Sequence, residues 1–141
     1  MGKVNWSRVF LGGLGWWVVF NVLKIVAAIV YMNTELDAAW KALGREFPRT
    51  PGLWVLWFAF TYVGGVVAIW LYAAIRPRYG PGPKTAVRVG LTFWLIGNFF
   101  PLMFFGATGV LSMEFVVIDA ATNLVVMVAA AIVGAWLYKE E

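Results

Sequence analysis

The sequence predicts an all-α fold: a four-transmembrane-helix bundle with a short amphipathic interfacial helix between the first and second spans. Three observations carry this. Four apolar stretches, residues 9–32, 52–75, 89–111 and 115–138, recur along the 141 residues. At 1.5 Å per residue the first reaches about 36 Å, enough to cross a hydrocarbon core of ~30 Å with some tilt. Hydrophobic residues make up 62% of the chain and charged residues 13%, against roughly half and a quarter in soluble domains, so lipid is the expected solvent. Charged side chains gather between the stretches, and only Lys24 and Asp119 fall inside them. The chain reads as one integral membrane domain, residues 1–141.

Composition removes whole classes of chemistry. With no cysteine and no histidine, disulfides, thiolate metal sites, imidazole ligands for haem or chlorophyll and histidine acid–base catalysis are excluded. The net charge of +4 does not point to nucleic acid, because the basic residues lie between apolar spans and form no groove. Membrane lipids with anionic headgroups are the expected partners.

The opening residues, with Lys3, Trp6 and Arg8, are similar to the charged start of a signal peptide. The apolar stretch that follows outruns the usual ~7–15 residues, so it reads as a retained first helix. Lys24 lies inside it, and a lysine there must snorkel, pair or line a wet cavity. In the polar segment that follows, Thr34 and Asp37 have capping-box spacing. Leu36, Trp40, Leu43 and Phe47 recur at helical spacing, and Gly44 precedes Pro48. This predicts an interfacial helix over about 34–44, lying on the membrane surface with Asp37 and Lys41 paired one turn apart.

The second span carries Gly64, Gly65 and Ala68, small residues that let helices approach closely. In the segment 76–88, Pro77, Pro81 and Pro83 with Gly80 and Gly82 rule out a continuous helix. Arg76, Arg78, Lys84 and Arg88 place four cations beside the membrane there, for lipid headgroup or partner contact or simply to set topology. Pro101, near the middle of the third span, predicts a kink against the Gly97 carbonyl. Residues 112–114 reverse the chain into the fourth span. By the positive-inside rule, Lys3, Arg8, Arg76, Arg78, Lys84, Arg88 and Lys139 outweigh Lys41, Arg45 and Arg49, so the N- and C-termini are expected in the cytoplasm. Trp6, Trp70, Trp136 and Tyr138 would anchor that interface, and Tyr31, Trp40 and Trp54 the other.

The polar residues within the spans are the main site candidates. Counted from the outer helix ends, Lys24, Thr61, Asp119 and Asn123 fall at nearly one depth, with Asn21 a turn deeper and Asn98 deeper still. Lys24 is therefore expected to meet Asp119 or Asn123 between the first and fourth helices, where opposite charges offset each other's burial cost. Such a pair either fixes helix register or serves a proton, ion or polar ligand. A second set, Phe99, Phe100, Phe104 and Phe105 around Pro101, offers either lipid contact or a surface for a quinone, carotenoid or other pigment. No covalent cofactor is expected. Ser7, Thr61 and Ser112 have no base partner, and prolines at 81 and 83 remove the amides a phosphate loop needs, so no catalytic residue is assigned.

Three blocks, NWSRV at 5–9, WLYAAIRPRYGPGPKTA at 70–86 and GAWLY at 134–138, cover about a quarter of the chain. With them the chain resembles a group of small, uncharacterised four-span bacterial membrane proteins. The resemblance implies the four-helix architecture and little else, and it brings no catalytic residues; a bacterial inner membrane is the expected location. Two functions stand open at this level. One is a non-catalytic accessory subunit of a larger membrane complex, with a photosynthetic reaction centre or respiratory enzyme as leading hosts. The other is a small transporter or channel built on Lys24, Asp119 and Asn123.

Overall fold

The computed structural model describes residues 4–139, so Lys3 of the Lys and Arg count lies outside the described residues. Among the described residues there is no strand, and four helices are long and apolar enough to cross a membrane: Trp6–Ala42, Pro51–Tyr79, Pro83–Ala107 and Met113–Leu137. Within them run α1 (Trp6–Ala27), α2 (Asn33–Ala42), α3 (Pro51–Tyr79), α4 (Pro83–Trp94), α5 (Phe100–Ala107) and α6 (Met113–Leu137). Five-residue π-helical turns, Ala28–Met32 and Leu95–Phe99, join α1 to α2 and α4 to α5. The start of α1 and the end of α6 meet on one side, where the Asn5 N–H donates to the Tyr138 hydroxyl at 3.4 Å. That side is the terminal face; the opposite side, carrying α2, is the distal face.

The amphipathic helix exists, but it does not start afresh. Met32 and Asn33 both have helical backbone angles and no side-chain cap, so α2 continues the first span to a total of 37 residues. No proline or glycine interrupts residues 28–34, and extending a formed helix needs no new nucleus. The capping-box spacing at Thr34 therefore has no helix start to act on. At about 55 Å the helix exceeds the apolar layer, and its last turns project from the distal face. Gly44, at φ 70°, ends it as expected. The next residues fold back, with Trp40 and Phe47 edge to face at 5.8 Å. Asp37 pairs with Arg49 at 2.8 and 3.0 Å instead of with Lys41, since one guanidinium nitrogen reaches both carboxylate oxygens.

Two more boundaries move. Arg76, Pro77 and Arg78 remain helical in the last turn of α3, where a missing N–H forfeits one ladder bond. The turn shrinks to residues 80–82, with Gly80 and Gly82 at φ 80° and 115°. There the Thr85 hydroxyl donates to the Gly80 carbonyl at 2.7 Å, and the Gly82 N–H donates to the Tyr72 hydroxyl at 2.9 Å. The third span then starts at Pro83, a residue suited to the first helical position, and ends at Ala107, four residues before the expected Leu111. Its proline distortion takes the form of the second π turn, in which the Phe100 N–H reaches back five residues to the Leu95 carbonyl. The ladder widens just before Pro101, which has no N–H of its own.

Helix α6 is the most buried of the spans, packed between α1 and α4, while α1 also packs on α3. In the terminal half these contacts run backbone to backbone. A Cβ on Gly12 would lie 2.6 Å from the Gly134 carbonyl, and one on Gly65 2.6 Å from that of Gly13. Ile69, fully buried, fills the junction of the three helices. Around this core the outer surface is apolar: Ile29 is 76% exposed, Val55 69% and Phe60 66%. Such a surface suits lipid and not water. Of the expected interfacial anchors, Tyr138 is instead buried in the core, edge to face with Tyr72 at 5.9 Å.

Candidate functional site: a buried carboxylate ringed by three donors

Asp119 sits in the second turn of α6, capped by Ser112, whose hydroxyl oxygen accepts from the Phe115 N–H at 3.2 Å. It is buried, and donors from two other spans reach it. Lys24 of α1, also buried, brings its Nζ to 3.5 Å from Oδ1. The Tyr31 hydroxyl donates to the same oxygen at 2.8 Å, and the Asn98 amide donates to Oδ2 at 3.4 Å. The shortest contact is thus from the phenol. The ammonium lies beyond the ~2.7–2.9 Å of a tight charge-assisted bond, so the pair is held as much by its neighbours as by its own attraction.

Both π turns serve this carboxylate: Tyr31 belongs to one and Asn98 to the other. Inserted turns of this kind re-aim side chains and often mark functional positions. Asn98 is level with Asp119 and not deeper, because the third span ends at Ala107 and the count of its depth starts from there. Tyr31, expected as an interfacial anchor, is a ligand of the cluster, and its proximity to Asp119 depends on the π turn.

Asn123 and Asn21 play other parts. Asn123 donates to the Asp119 backbone carbonyl at 2.9 Å, within its own helix, and its side chain is fully buried beside the cluster. Asn21 belongs to a separate network between α1 and α3. Its amide donates to the Trp17 carbonyl at 2.9 Å and the Thr61 hydroxyl at 3.1 Å, and its oxygen accepts from Trp57 Nε1 at 3.0 Å. Trp17 Nε1 in turn donates to the Phe58 carbonyl at 2.9 Å. Residues three apart on a helix differ by about 60° in direction, so Lys24 faces α6 and Asn21 faces α3. Replacing Asn21 by Leu is expected to cost about 1–3 kcal/mol by stranding the Trp57 indole N–H, measured as a lower unfolding midpoint in detergent; Thr61→Val should cost less.

The other two sequence candidates stay at the surface. Phe99 lies tilted against Trp94 with ring centroids 4.9 Å apart, whereas Phe100, Phe104 and Phe105 are exposed on the outer side. The four rings form two touching pairs, Phe99 with Phe100 and Phe104 with Phe105, each at 5.9 Å between centroids. Of the basic set, Arg88 lies over the Tyr79 ring at 4.4 Å, with Arg78 at 6.0 Å from the same ring and Arg76 at 5.8 Å from that of Tyr138. Arg78, Lys84 and Arg88 are exposed on the terminal face.

Two recesses flank the cluster on the distal side. One, about 340 Å³ and open, is lined by Tyr31, Glu35, Ser112, Glu114 and Phe115; Glu35 there accepts from the Ser112 N–H at 2.9 Å. The other, about 250 Å³, reaches Lys24 from the side of α3. Toward the terminal face α1 and α6 meet backbone to backbone at Gly12 and Gly134. Among the described residues no three of His, Cys, Asp or Glu come together as cation ligands. The fold and cluster together define a four-helix bundle of membrane type with a buried ionic latch. Compared with protein families, curated proteins and solved structures, the chain matches none.

Proposed function

We propose that the chain is a non-catalytic accessory subunit of a larger membrane assembly, seated in a bacterial inner membrane with its terminal face toward the cytoplasm. The observation that carries this reading is how the two charges inside the apolar spans are used. Asp119 takes Lys24, Tyr31 and Asn98, and in the terminal half beyond them α1 meets α6 and α3 through glycine backbone contacts. A latch of this kind holds helices in register, as a packing subunit requires, and close glycine contacts in the terminal half support packing over flux. The excess of Lys and Arg on the terminal face supports the orientation. Bioenergetic complexes, photosynthetic or respiratory, are the first hosts to test.

The transporter or channel reading around Lys24, Asp119 and Asn123 has one observation in its favour: the open recess at Tyr31, which covers Asp119 from the distal side. One experiment separates the two. Native purification in mild detergent with mass spectrometry is expected to show comigration with a large complex in fixed stoichiometry. A free monomer or homodimer that moves a solute in liposomes, and loses that activity in Asp119→Asn, would replace the subunit reading with the transport one.

A further inference from the structure

The terminal face carries a pair of like charges that the ionic latch does not use. Tyr79, the last residue of α3, holds its ring exposed beside the turn. The Arg88 guanidinium carbon lies over that ring, 4.4 Å from its centroid, and that of Arg78 lies 6.0 Å from the same point. Laid end to end, these distances keep the two cations at most about 10 Å apart. That is close to the ~8 Å Debye length of physiological salt, so solvent ions screen their repulsion only in part. Attraction to the ring offsets some of it. Among the described residues no side-chain nitrogen of Arg78, Lys84 or Arg88 donates to an acceptor. Glu35, Asp37, Glu46 and Glu114 lie on the distal side and Asp119 inside the bundle, so among the described residues no carboxylate faces the pair.

Position selects the counter-charge. Arg88 stands five residues past Pro83, the first residue of α4, which sets it about 7.5 Å down the helix. Leu91 and Leu95 follow on the same stripe, and both are exposed. Arg88 thus faces sideways where headgroups meet acyl chains, and not off the end of the bundle as a soluble partner would require. Tyrosine is a common anchor at that level.

We propose that Arg78 and Arg88, around Tyr79, bind an anionic phospholipid that carries two phosphates, a diphosphatidylglycerol. One phosphate meets each guanidinium, and acyl chains run along Leu91 and Leu95. Each guanidinium keeps both of its paired N–H edges for phosphate. Two phosphates joined through one glycerol lie close enough together to meet both cations, and the link makes the second contact intramolecular. A lipid with a single phosphate neutralises one cation and leaves the other. Lys84, exposed one turn before Arg88, adds attraction. The site is independent of whether the chain belongs to a larger assembly.

The test is retention of lipid by the full chain purified in mild detergent, counted by native mass spectrometry. Diphosphatidylglycerol, phosphatidylglycerol and phosphatidylethanolamine are offered at equal total phosphate, with and without inorganic phosphate as competitor. One diphosphatidylglycerol per chain is expected, held at least tenfold better than phosphatidylglycerol and not displaced by inorganic phosphate. Arg78→Gln combined with Arg88→Gln should abolish the preference, and each alone should lower it severalfold. Both positions are exposed, and unfolding midpoints equal to the parent's verify that the variants fold. Arg45→Gln, which removes an exposed cation from the distal side, should leave the preference unchanged and so separates this pair from net charge. The proposal is overturned if no diphosphatidylglycerol is retained, if phosphatidylglycerol is held as well, or if inorganic phosphate displaces the lipid. A preference that survives in the folded double variant, or that falls as far in Arg45→Gln, overturns it equally. So does an acidic soluble protein that copurifies with the parent and is lost from the double variant while lipid retention stays the same.

Discussion

Replacing Asp119 by Ala is expected to destabilise the bundle by about 3–5 kcal/mol, the usual cost of leaving one partner of a buried ion pair uncompensated. The substitution strands the Lys24 ammonium, which is buried, and takes the acceptor from Tyr31 and Asn98 at once. The double variant Lys24→Met with Asp119→Asn should recover most of that loss, because the amide still accepts from Tyr31 and no charge remains in the layer. Unfolding midpoints of Lys24→Met, Asp119→Asn and the double, measured in one detergent, complete the cycle. A latch gives a large coupling energy and a double variant close to the parent. A double variant that collapses while each single one is tolerated would show that the charges are kept for something other than register.

Gly134→Val is the second large effect, near the top of the ~1–3 kcal/mol range for overpacking. A Cβ there would meet Ile69 at 2.6 Å and the Gly12 carbonyl at 2.8 Å, and a backbone carbonyl has nowhere to move without shifting α1. Gly65→Ala should behave likewise against the Gly13 carbonyl at 2.6 Å. Its neighbour makes the control: nothing lies within 4 Å of a Cβ on Gly64, so Gly64→Ala should change the midpoint by no more than about 0.5 kcal/mol. Equal effects at 64 and 65 would mean that α1 and α3 do not meet as closely as described.

The glycine pair at 64 and 65 also shows how far residue type reads ahead of structure. Small residues announce that helices approach; which of the two faces the neighbour is set by the rotation of α3 against α1. The latch was more legible. Opposite charges are rare within apolar spans, and Lys24 and Asp119 match in depth, so their meeting follows from counting residues. Asn98 escaped the same count because its helix ends at Ala107, and Tyr31 escaped it because a phenol near a span end reads as an anchor. Asn21, so close in sequence to Lys24, belongs to a different helix pair, a consequence of the ~100° turn per residue that no composition measure records.

By itself the sequence determined the solvent, the number of spans and the two charges that had to find each other. These follow from local quantities: stretch length, hydropathy and the cost of a bare charge in hydrocarbon. Tertiary structure alone decided that the first helix runs on unbroken into α2 and that two π turns aim Tyr31 and Asn98 at Asp119. It also decided that Arg49 folds back on Asp37 to complete the mouth of a cleft. Helix ends and π turns are settled by competition between an ongoing hydrogen-bond ladder and the packing of neighbours. Those neighbours lie dozens of residues away in the chain, where no local pattern reaches.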